Sequence, residues 1–367
     1  MADLRVAGLH KRRVPGHIAA MYFASDNTGP VHPKILDALT RANEGYAHAY
    51  GDDALTAAVT RRVREVFEAP EAQVHLVATG TAANSLLLAT HTTPWQTIFC
   101  SDIAHIHMDE LNAPEFFSGG AKLSLVPSED GVMPPEALRA RIEQEETRDL
   151  HGPSRGPVSL TQVTEVGTVY QMPALHDVVG VAKDFGLPVH MDGARFANAL
   201  VKLGCTPAEM TWKAGVDMVS FGGTKNGLMG VEAAIIFEPS KGREFEYRRK
   251  RGAHLFSKHR YLAAQMLAYL EDDLWLQMAR AANAACHRLA EGLRAAPGVN
   301  LMYRPHANII FARLPRGTHR RLFEAGAEYH LWDGALDGGP EEEPIAARFV
   351  CDWSATDENT DRFLALL

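Results

Sequence analysis

Only four cysteines occur in 367 residues, and Cys100, Cys205, Cys286 and Cys351 stand far apart with no Cys-x-x-Cys pair. That spacing suggests neither a disulfide framework nor a zinc site, and it suits reduced, mostly buried thiols in a cytoplasmic protein. Basic charge is also in short supply: the net charge is −8, which argues against nucleic acid or an anionic membrane as the main partner. No apolar run approaches the roughly 20 residues of a membrane span. There is no internal repeat. Residues 1–20 carry Arg5, Lys11, Arg12 and Arg13 but no apolar stretch of signal-peptide length, so they are expected to be an extension and not a targeting signal. With 46% hydrophobic and 22% charged residues, the chain is an ordinary globular one, long enough for one large domain and a smaller one.

The most informative stretch is VDMVSFGGTKN, where an apolar run ends in Gly222-Gly223 and is followed by Lys225. The run has strand composition, and the glycines let the backbone turn where a side chain would block a ligand. A lysine held there in a partly desolvated pocket loses its proton more easily and becomes a nucleophile able to join an aldehyde. The plain alternative is a solvated surface lysine. Upstream, the apolar run in LPVHMDGARFANAL ends in Asp192, with Arg195 just beyond. In an open α/β sheet the carboxyl ends of strands face one crevice, so Asp192 and Lys225 are expected to meet there. Pyridoxal phosphate uses such a pair, a lysine for its aldehyde and a carboxylate to keep its ring nitrogen protonated. Asp192 has a structural alternative as N-cap of a helix opening at Ala194.

Two further stretches bear on chemistry. VHLVATGTAANSLLLAT reads as a strand, a turn and a helix starting near Ala82, with Gly80 and Thr81 in the turn. Free N–H groups at a helix N-terminus make a phosphate cradle, although an ordinary loop with a threonine cap has the same sequence. DIAHIHMDEL is a polar loop holding His105, His107, Asp109 and Glu110. No third ligand falls at a spacing that matches the two histidines, so no metal is expected.

From residue 21 to about 237, strand-like and helical segments alternate, which predicts right-handed βαβ crossovers and a mostly parallel sheet covered on both faces. The helix after FASDNTGPVHP is expected to bury Leu36 and Leu39 and to stop at Gly45, and the next to bury Leu55, Val59, Val63, Val66 and Phe67. The basic cluster from Arg248 to Arg260 is expected to be a solvated face. After Pro297-Gly298 the pattern suggests a smaller α+β domain. The expected division is an extension over 1–20, a major domain over 21–272 and a small domain over 273–367.

FASDNTGPVHP, AYGDD, TGTAANSL, the AHIH loop, HMDGARFANA, SFGGTKNG and ARFVCDW follow one another in an order that resembles the low-specificity L-threonine aldolases, fold-type I enzymes related to aspartate aminotransferase. The resemblance covers residues 21 to 353. It implies pyridoxal 5'-phosphate as cofactor and cleavage of β-hydroxy-α-amino acids to glycine and an aldehyde. By it, Lys225 binds the cofactor's aldehyde, Asp192 meets the pyridine nitrogen, Gly80 and Thr81 hold the phosphate, and His105 stacks on the ring. Ser25, Arg195 and Arg348 match positions that hold the amino-acid carboxylate, a task suited to planar guanidinium forks. It also implies a tetramer of dimers in which Tyr50 and Lys258 reach the neighbour's cofactor. Many members carry a histidine in the stretch matching residues 162 to 168, where TQVTEVGT places Glu165. His105, Glu165 or a water is therefore left to act at the β-hydroxyl. The rival activities are an aminotransferase, a β-eliminating lyase and a non-catalytic pyridoxal-phosphate-binding protein.

Overall fold

A computed structural model describes residues 21–367, so the extension expected over 1–20 lies outside the described residues. Seven strands form the central sheet, in the order Gln73–Val77, Glu232–Ile236, Met218–Gly222, Val189–Gly193, Ser154–Thr161, Gln96–Ser101 and Lys122–Val126. Neighbours are parallel except where Glu232–Ile236 runs against both of its own. The expected mostly parallel sheet is present, with one reversed strand inserted beside the strand that leads to Lys225. Central strands read as continuous apolar runs because both faces are covered. Side chains alternate: Val219, Phe221, Ala233 and Ile235 pack into one core, and Met218, Ala234 and Ile236 into another with Leu86, Ile98 and Phe245. Burying each of the larger residues is worth roughly 1.5–3 kcal/mol.

Helix Gly80–Thr90 is buried from Ala82 to Thr90. An apolar surface on every side lets it lie between the sheet and the helices Ala113–Ser118 and Gly242–Arg251, which fixes its N-terminus at the sheet edge. Helix Pro33–Ala42 differs from expectation. It buries Ile35, Ala38 and Ala42 and leaves Leu36 exposed, because the face that meets helix Arg260–Leu270 is the one with the smaller residues. It ends at Asn43, before Gly45.

The second sheet is antiparallel, in the order His330–Leu331, Pro344–Val350, Ile309–Pro315 and Asn300–Leu301. Its core contains Leu289, Leu322, Phe349 and Phe363, together with Met21 and Phe23. Met21–Tyr22 pairs with Ala327–Glu328, and Phe23 meets Phe363 edge to face at 5.1 Å. The first described residues, expected in the larger unit, thus bury their two large apolar side chains in the core of the second sheet. Helices Arg260–Leu270 and Leu274–Ala295 are separated by a turn in which Asp272 and Asp273 take left-handed φ values of 49° and 54°. Helix Leu274–Ala295 then serves both units, with Trp275 and Met278 in the larger core and Leu289 and Leu293 in the smaller.

Five parallel strands end at one edge of the central sheet; Asp192 is the last residue but one of its strand, and the segments after the other four carry Gly80, His105, Glu165 and Lys225. Glu232 opens the reversed strand at that same edge, paired with Gly222 on one side and Val77 on the other. The carboxyl edge of such a sheet is where ligands bind.

Candidate active site

Lys225 lies in a single tight turn, Thr224–Asn226, directly after strand Met218–Gly222. A Cβ on Gly222 would come within 2.4 Å of the Ala194 carbonyl oxygen, and one on Gly223 within 2.7 Å of the Val231 carbonyl oxygen. Only glycine fits at either position. The turn is pinned from three sides: Gly223 N–H donates to Glu232 Oε2 (2.7 Å), Val231 N–H to Thr224 Oγ1 (3.2 Å), and Asn226 Nδ2 to Tyr269 Oη (2.7 Å). Burial, reinforced by Arg195, lowers the pKa of the Lys225 amine against the opposing pull of Asp26, Asp192 and Glu232. The side chain is therefore no solvated surface lysine, and its proton is held loosely. Glu232 itself is pushed up to about 7 by burial.

Asp192 is 3% exposed. Its Oδ1 accepts the Ala194 N–H (2.9 Å) and its Oδ2 accepts from Asn84 Nδ2 (2.9 Å). The helix beyond starts at Phe196 and is capped at Arg195 without a side-chain bond, so Asp192 braces the turn but is not the N-cap. Burial pushes its pKa up, yet His105 and Lys225 outweigh that and hold the carboxyl below its usual range.

His105 stands on a short helical turn, His105–Met108, where a polar loop was expected. Its Nδ1 lies 2.8 Å from Glu110 Oε1. That hydrogen bond raises the imidazole's pKa against the opposing effect of burial. The His105 backbone N–H donates to Glu165 Oε1 (2.7 Å), which also accepts from Thr161 Oγ1 (2.8 Å). Glu165 Oε2 is buried without a partner among the described residues. Burial pushes the Glu165 carboxyl up to about 7.

Ligand atoms of His105, Glu110 and Asp192 come within 4.8 Å of one another. Glu110 from the same loop and Asp192, distant in sequence, thus join His105 where no third ligand was expected, while His107 is exposed. The amide nitrogen of Asn84 donates to both acids at 2.9 Å, so hydrogen-bond donors already fill the gap between them.

Helix Gly80–Thr90 begins two residues earlier than expected. Thr79 caps it through the Ala82 N–H (3.2 Å), which leaves the N–H groups of Gly80 and Thr81 as open donors of the first turn. A Cβ on Gly80 would meet nothing within 4 Å.

The arginines converge on the segment Ala24-Ser25-Asp26. Arg195 spends Nε and Nη2 on Asp26, at 2.7 and 2.9 Å, and Asn308 Nδ2 also donates to Asp26 (3.0 Å). The side-on fork of Nε and Nη2 is therefore committed to a protein carboxylate, which leaves the N–H groups of Nη1 and the second N–H of Nη2 for a ligand. Arg348, on strand Pro344–Val350, touches the Ala24 carbonyl oxygen through Nη2 (3.4 Å), and its Nε is buried without a partner among the described residues. Ser25 accepts the Asn27 N–H on its hydroxyl at 3.2 Å. Tyr50 and Lys258 lie elsewhere, on one exposed patch: Tyr50 N–H donates to Ser257 O (2.9 Å) and its ring sits under Lys250 Nζ at 4.8 Å.

Asp26, Asn84, Glu110 and Glu232 were not singled out as site residues from sequence. Asn84 and Asp26 lie inside TGTAANSL and FASDNTGP, so the motifs marked the place without marking the residue.

The β-eliminating lyase family matches residues 22–315. The low-specificity L-threonine aldolase of Pseudomonas aeruginosa is 42% identical over 343 residues, 94% of this chain and 95% of that one. A second Pseudomonas protein of the same name is 40% identical over the same shares. Among solved structures, a threonine aldolase of Leishmania major superposes with a TM-score of 0.87 at 27% identity, covering 94% of this chain and 98% of the other. On this evidence the chain belongs to the β-eliminating lyase family, within its low-specificity L-threonine aldolase group of pyridoxal-phosphate-dependent lyases.

Proposed function

We propose that this chain cleaves L-threonine, L-allo-threonine and related β-hydroxy-α-amino acids to glycine and an aldehyde, threonine giving acetaldehyde. The observation that carries the proposal is the arrival of Lys225 and Asp192 at the ends of adjacent parallel strands, Asp192 buried and Lys225 half-buried. The residues fit the cofactor. Gly80 and Thr81 offer unpaired N–H groups and open space for its phosphate, Asp192 an anionic carboxylate for its ring nitrogen, His105 a ring to stack, and Lys225 an amine for its aldehyde.

Bound pyridoxal phosphate supplies an electron sink conjugated with the amino acid's Cα. The protein's part is orientation and proton traffic. Arg348, through its unpaired Nε, receives the amino-acid carboxylate with help from Nη1 of Arg195 and from Ser25. Holding the carboxylate one way decides which bond at Cα is aligned to break, here Cα–Cβ. His105 takes the proton from the β-hydroxyl as the aldehyde leaves. Glu165, anchored to the His105 backbone, is the second group able to do so.

The larger unit would hold the cofactor, and the smaller unit would bring Arg348. In a tetramer built from dimers, Tyr50 and Lys258 would act from one exposed patch on the neighbour's cofactor. Four free thiols suit a cytoplasmic setting, and among the described residues no helix is long and apolar enough to cross a membrane. The family's name favours one rival, β-elimination. Incubation of the purified protein with threonine decides: glycine and acetaldehyde in equal amounts support aldol cleavage, whereas a 2-oxo acid with ammonia would overturn it.

A further inference from the structure

Asn84 is 1% exposed and makes three side-chain hydrogen bonds, all with polar groups of the site. Its Nδ2 donates to Glu110 Oε1 and to Asp192 Oδ2, each at 2.9 Å, and its Oδ1 accepts from Ser220 Oγ at 2.6 Å. A side-chain amide carries two N–H donors and one acceptor oxygen, so this is the arrangement its chemistry permits. An ionised carboxylate only accepts, so the two acids turn the amide nitrogen toward themselves, and a chain of hydroxyls and imidazole behind it matches that orientation. His190 is buried and neutral at ordinary pH, its pKa lowered to about 4 by burial. Its Nδ1 lies 2.9 Å from Ser159 Oγ and its Nε2 3.3 Å from Ser220 Oγ. With the Ser220 proton given to Asn84, the ring's own proton must sit on Nε2 and face Ser220, and Ser159 must donate to Nδ1. Every donor in the line then has an acceptor, and the amide nitrogen is turned toward the two acids.

We propose that Asn84 is a positioning residue whose amide clamps the carboxylates of Glu110 and Asp192 side by side, so that one meets the His105 imidazole and the other the ring nitrogen of the cofactor. It rests on the function proposed above. Two carboxylates whose oxygens lie this close in a buried site repel each other. Asn84 offsets that by giving each a hydrogen bond, without adding charge. The charged and titratable groups around it are His105 and Glu110 from the 105–110 turn, Glu165 behind them, Asp192 and His190 from strand Val189–Gly193, and Lys225 from the turn beyond Ser220. His105 bonds Glu110 and lies within 4.8 Å of Asp192 as well, and Lys225 acts on Asp192 from the other side. The amide of Asn84 is the neutral group that donates to both acids at once.

The test is Asn84→Asp, which preserves shape and the oxygen facing Ser220 but replaces the shared donor by a third carboxylate. Asn84→Ala removes the donor without adding charge. Cofactor affinity is measured by titrating pyridoxal phosphate into the cofactor-stripped full chain at pH 8 and pH 6, each against the unaltered chain at that pH. Thermal unfolding of the stripped chain is followed over the same range. For Asn84→Asp we expect affinity at least tenfold weaker at pH 8, with the gap closing to about threefold at pH 6, and a melting deficit that closes in parallel. The sign follows from the added acid. A proton shared among three carboxylates restores a donor, so stability is present at low pH and is lost as pH rises through that group's raised pKa. Asn84→Ala should lose affinity by a smaller factor and show no recovery in acid. Affinity and melting of Asn84→Asp within twofold and 1 °C of the unaltered chain at pH 8, or a deficit equal at both pH values, would overturn the clamp. If the unaltered chain binds no pyridoxal phosphate, the proposed function fails, and the melting series still decides the clamp.

Discussion

Arg195 and Asp26 form a two-pronged ion pair, Nε to Oδ2 at 2.7 Å and Nη2 to Oδ1 at 2.9 Å, that ties the strand-end segment of the central sheet to the chain entering from the smaller unit. Burial pushes the Asp26 pKa up, but Arg195 more than reverses this and holds it low. The pair also sets the charge around Lys225, because Arg195 lowers the amine's pKa while Asp26 raises it.

Removing the acid alone leaves a guanidinium with little water and no counter-charge. Asp26→Ala is expected to destabilise the fold by about 3–5 kcal/mol, the usual cost of breaking a buried pair from one side. It should also lower the Lys225 pKa further. Urea unfolding checks the first expectation, and a change below about 1 kcal/mol would show that the pair is not buried in the working protein. In acid the unaltered protein should lose this contribution as pH falls through the depressed Asp26 pKa, below about 4.

Lys225→Ala should abolish both turnover and the covalent fixing of cofactor by borohydride. Glu232, Thr224 and Asn226 pin this lysine's turn and no other. Fixing at the unaltered level in the variant would place the cofactor on a different lysine. Asp192→Asn keeps an acceptor for the Ala194 N–H but turns an N–H₂ toward Asn84 Nδ2, so it should cost some stability, and it should cripple turnover because a neutral group cannot hold a pyridinium. Near-normal rates with cofactor bound would remove Asp192 from that role.

Arg348→Lys keeps the charge but loses the Nε donor that lies buried and unpaired. A charge-assisted hydrogen bond is worth about 1.5–3 kcal/mol, so KM for threonine should rise roughly 10- to 100-fold. Looser choice among bonds at Cα should appear as 2-oxo acid beside glycine. Unchanged kinetics would put Arg348 outside the substrate site.

These expectations differ in how they could be found. Lys225 and Asp192 were legible in sequence because each ends an apolar run, and the end of a buried strand is a local property. The Gly222-Gly223 turn was legible for the same reason, and the structure adds that any Cβ there would strike backbone oxygen. Asn84 could not be read that way. Its partner Asp192 is 108 residues distant, and Asp26 and its partner Asn308 are separated by 282. Such bonds leave no spacing pattern. The placement of Met21 and Phe23 was hidden likewise, since a two-residue strand has no period and its partner strand lies at 327–328. Helix Pro33–Ala42 failed for another reason: two leucines outweighed an Ile-Ala-Ala stripe by hydrophobicity, while packing against Arg260–Leu270 favoured the smaller face.

The last prediction concerns the proton at the β-hydroxyl. The resemblance left it to His105, Glu165 or a water, and burial pushes Glu165 up to about 7. The bond from Glu110 raises the pKa of His105, which keeps it protonated to higher pH and makes it a poorer base in acid. Glu165 can thus titrate near working pH while His105 is shifted upward, and proton transfer by a positioned side chain contributes roughly 10²- to 10⁴-fold. We expect His105→Phe, which keeps a ring to stack, to lose activity on that scale against both threonine and allo-threonine, and Glu165→Gln to lose less. The pH profile separates the two. If Glu165 is the base, activity should climb as pH rises through about 7, and Glu165→Gln should abolish that limb. Stability moves the opposite way: the raised carboxyl favours the fold while protonated, so the unaltered protein should weaken between about pH 4.5 and 7, by roughly 3 kcal/mol at most. Glu165→Gln should be spared that decline. His105→Phe near the unaltered rate, together with collapse of Glu165→Gln, would give the proton to Glu165. A slight fall in both would assign it to a water held between the two side chains.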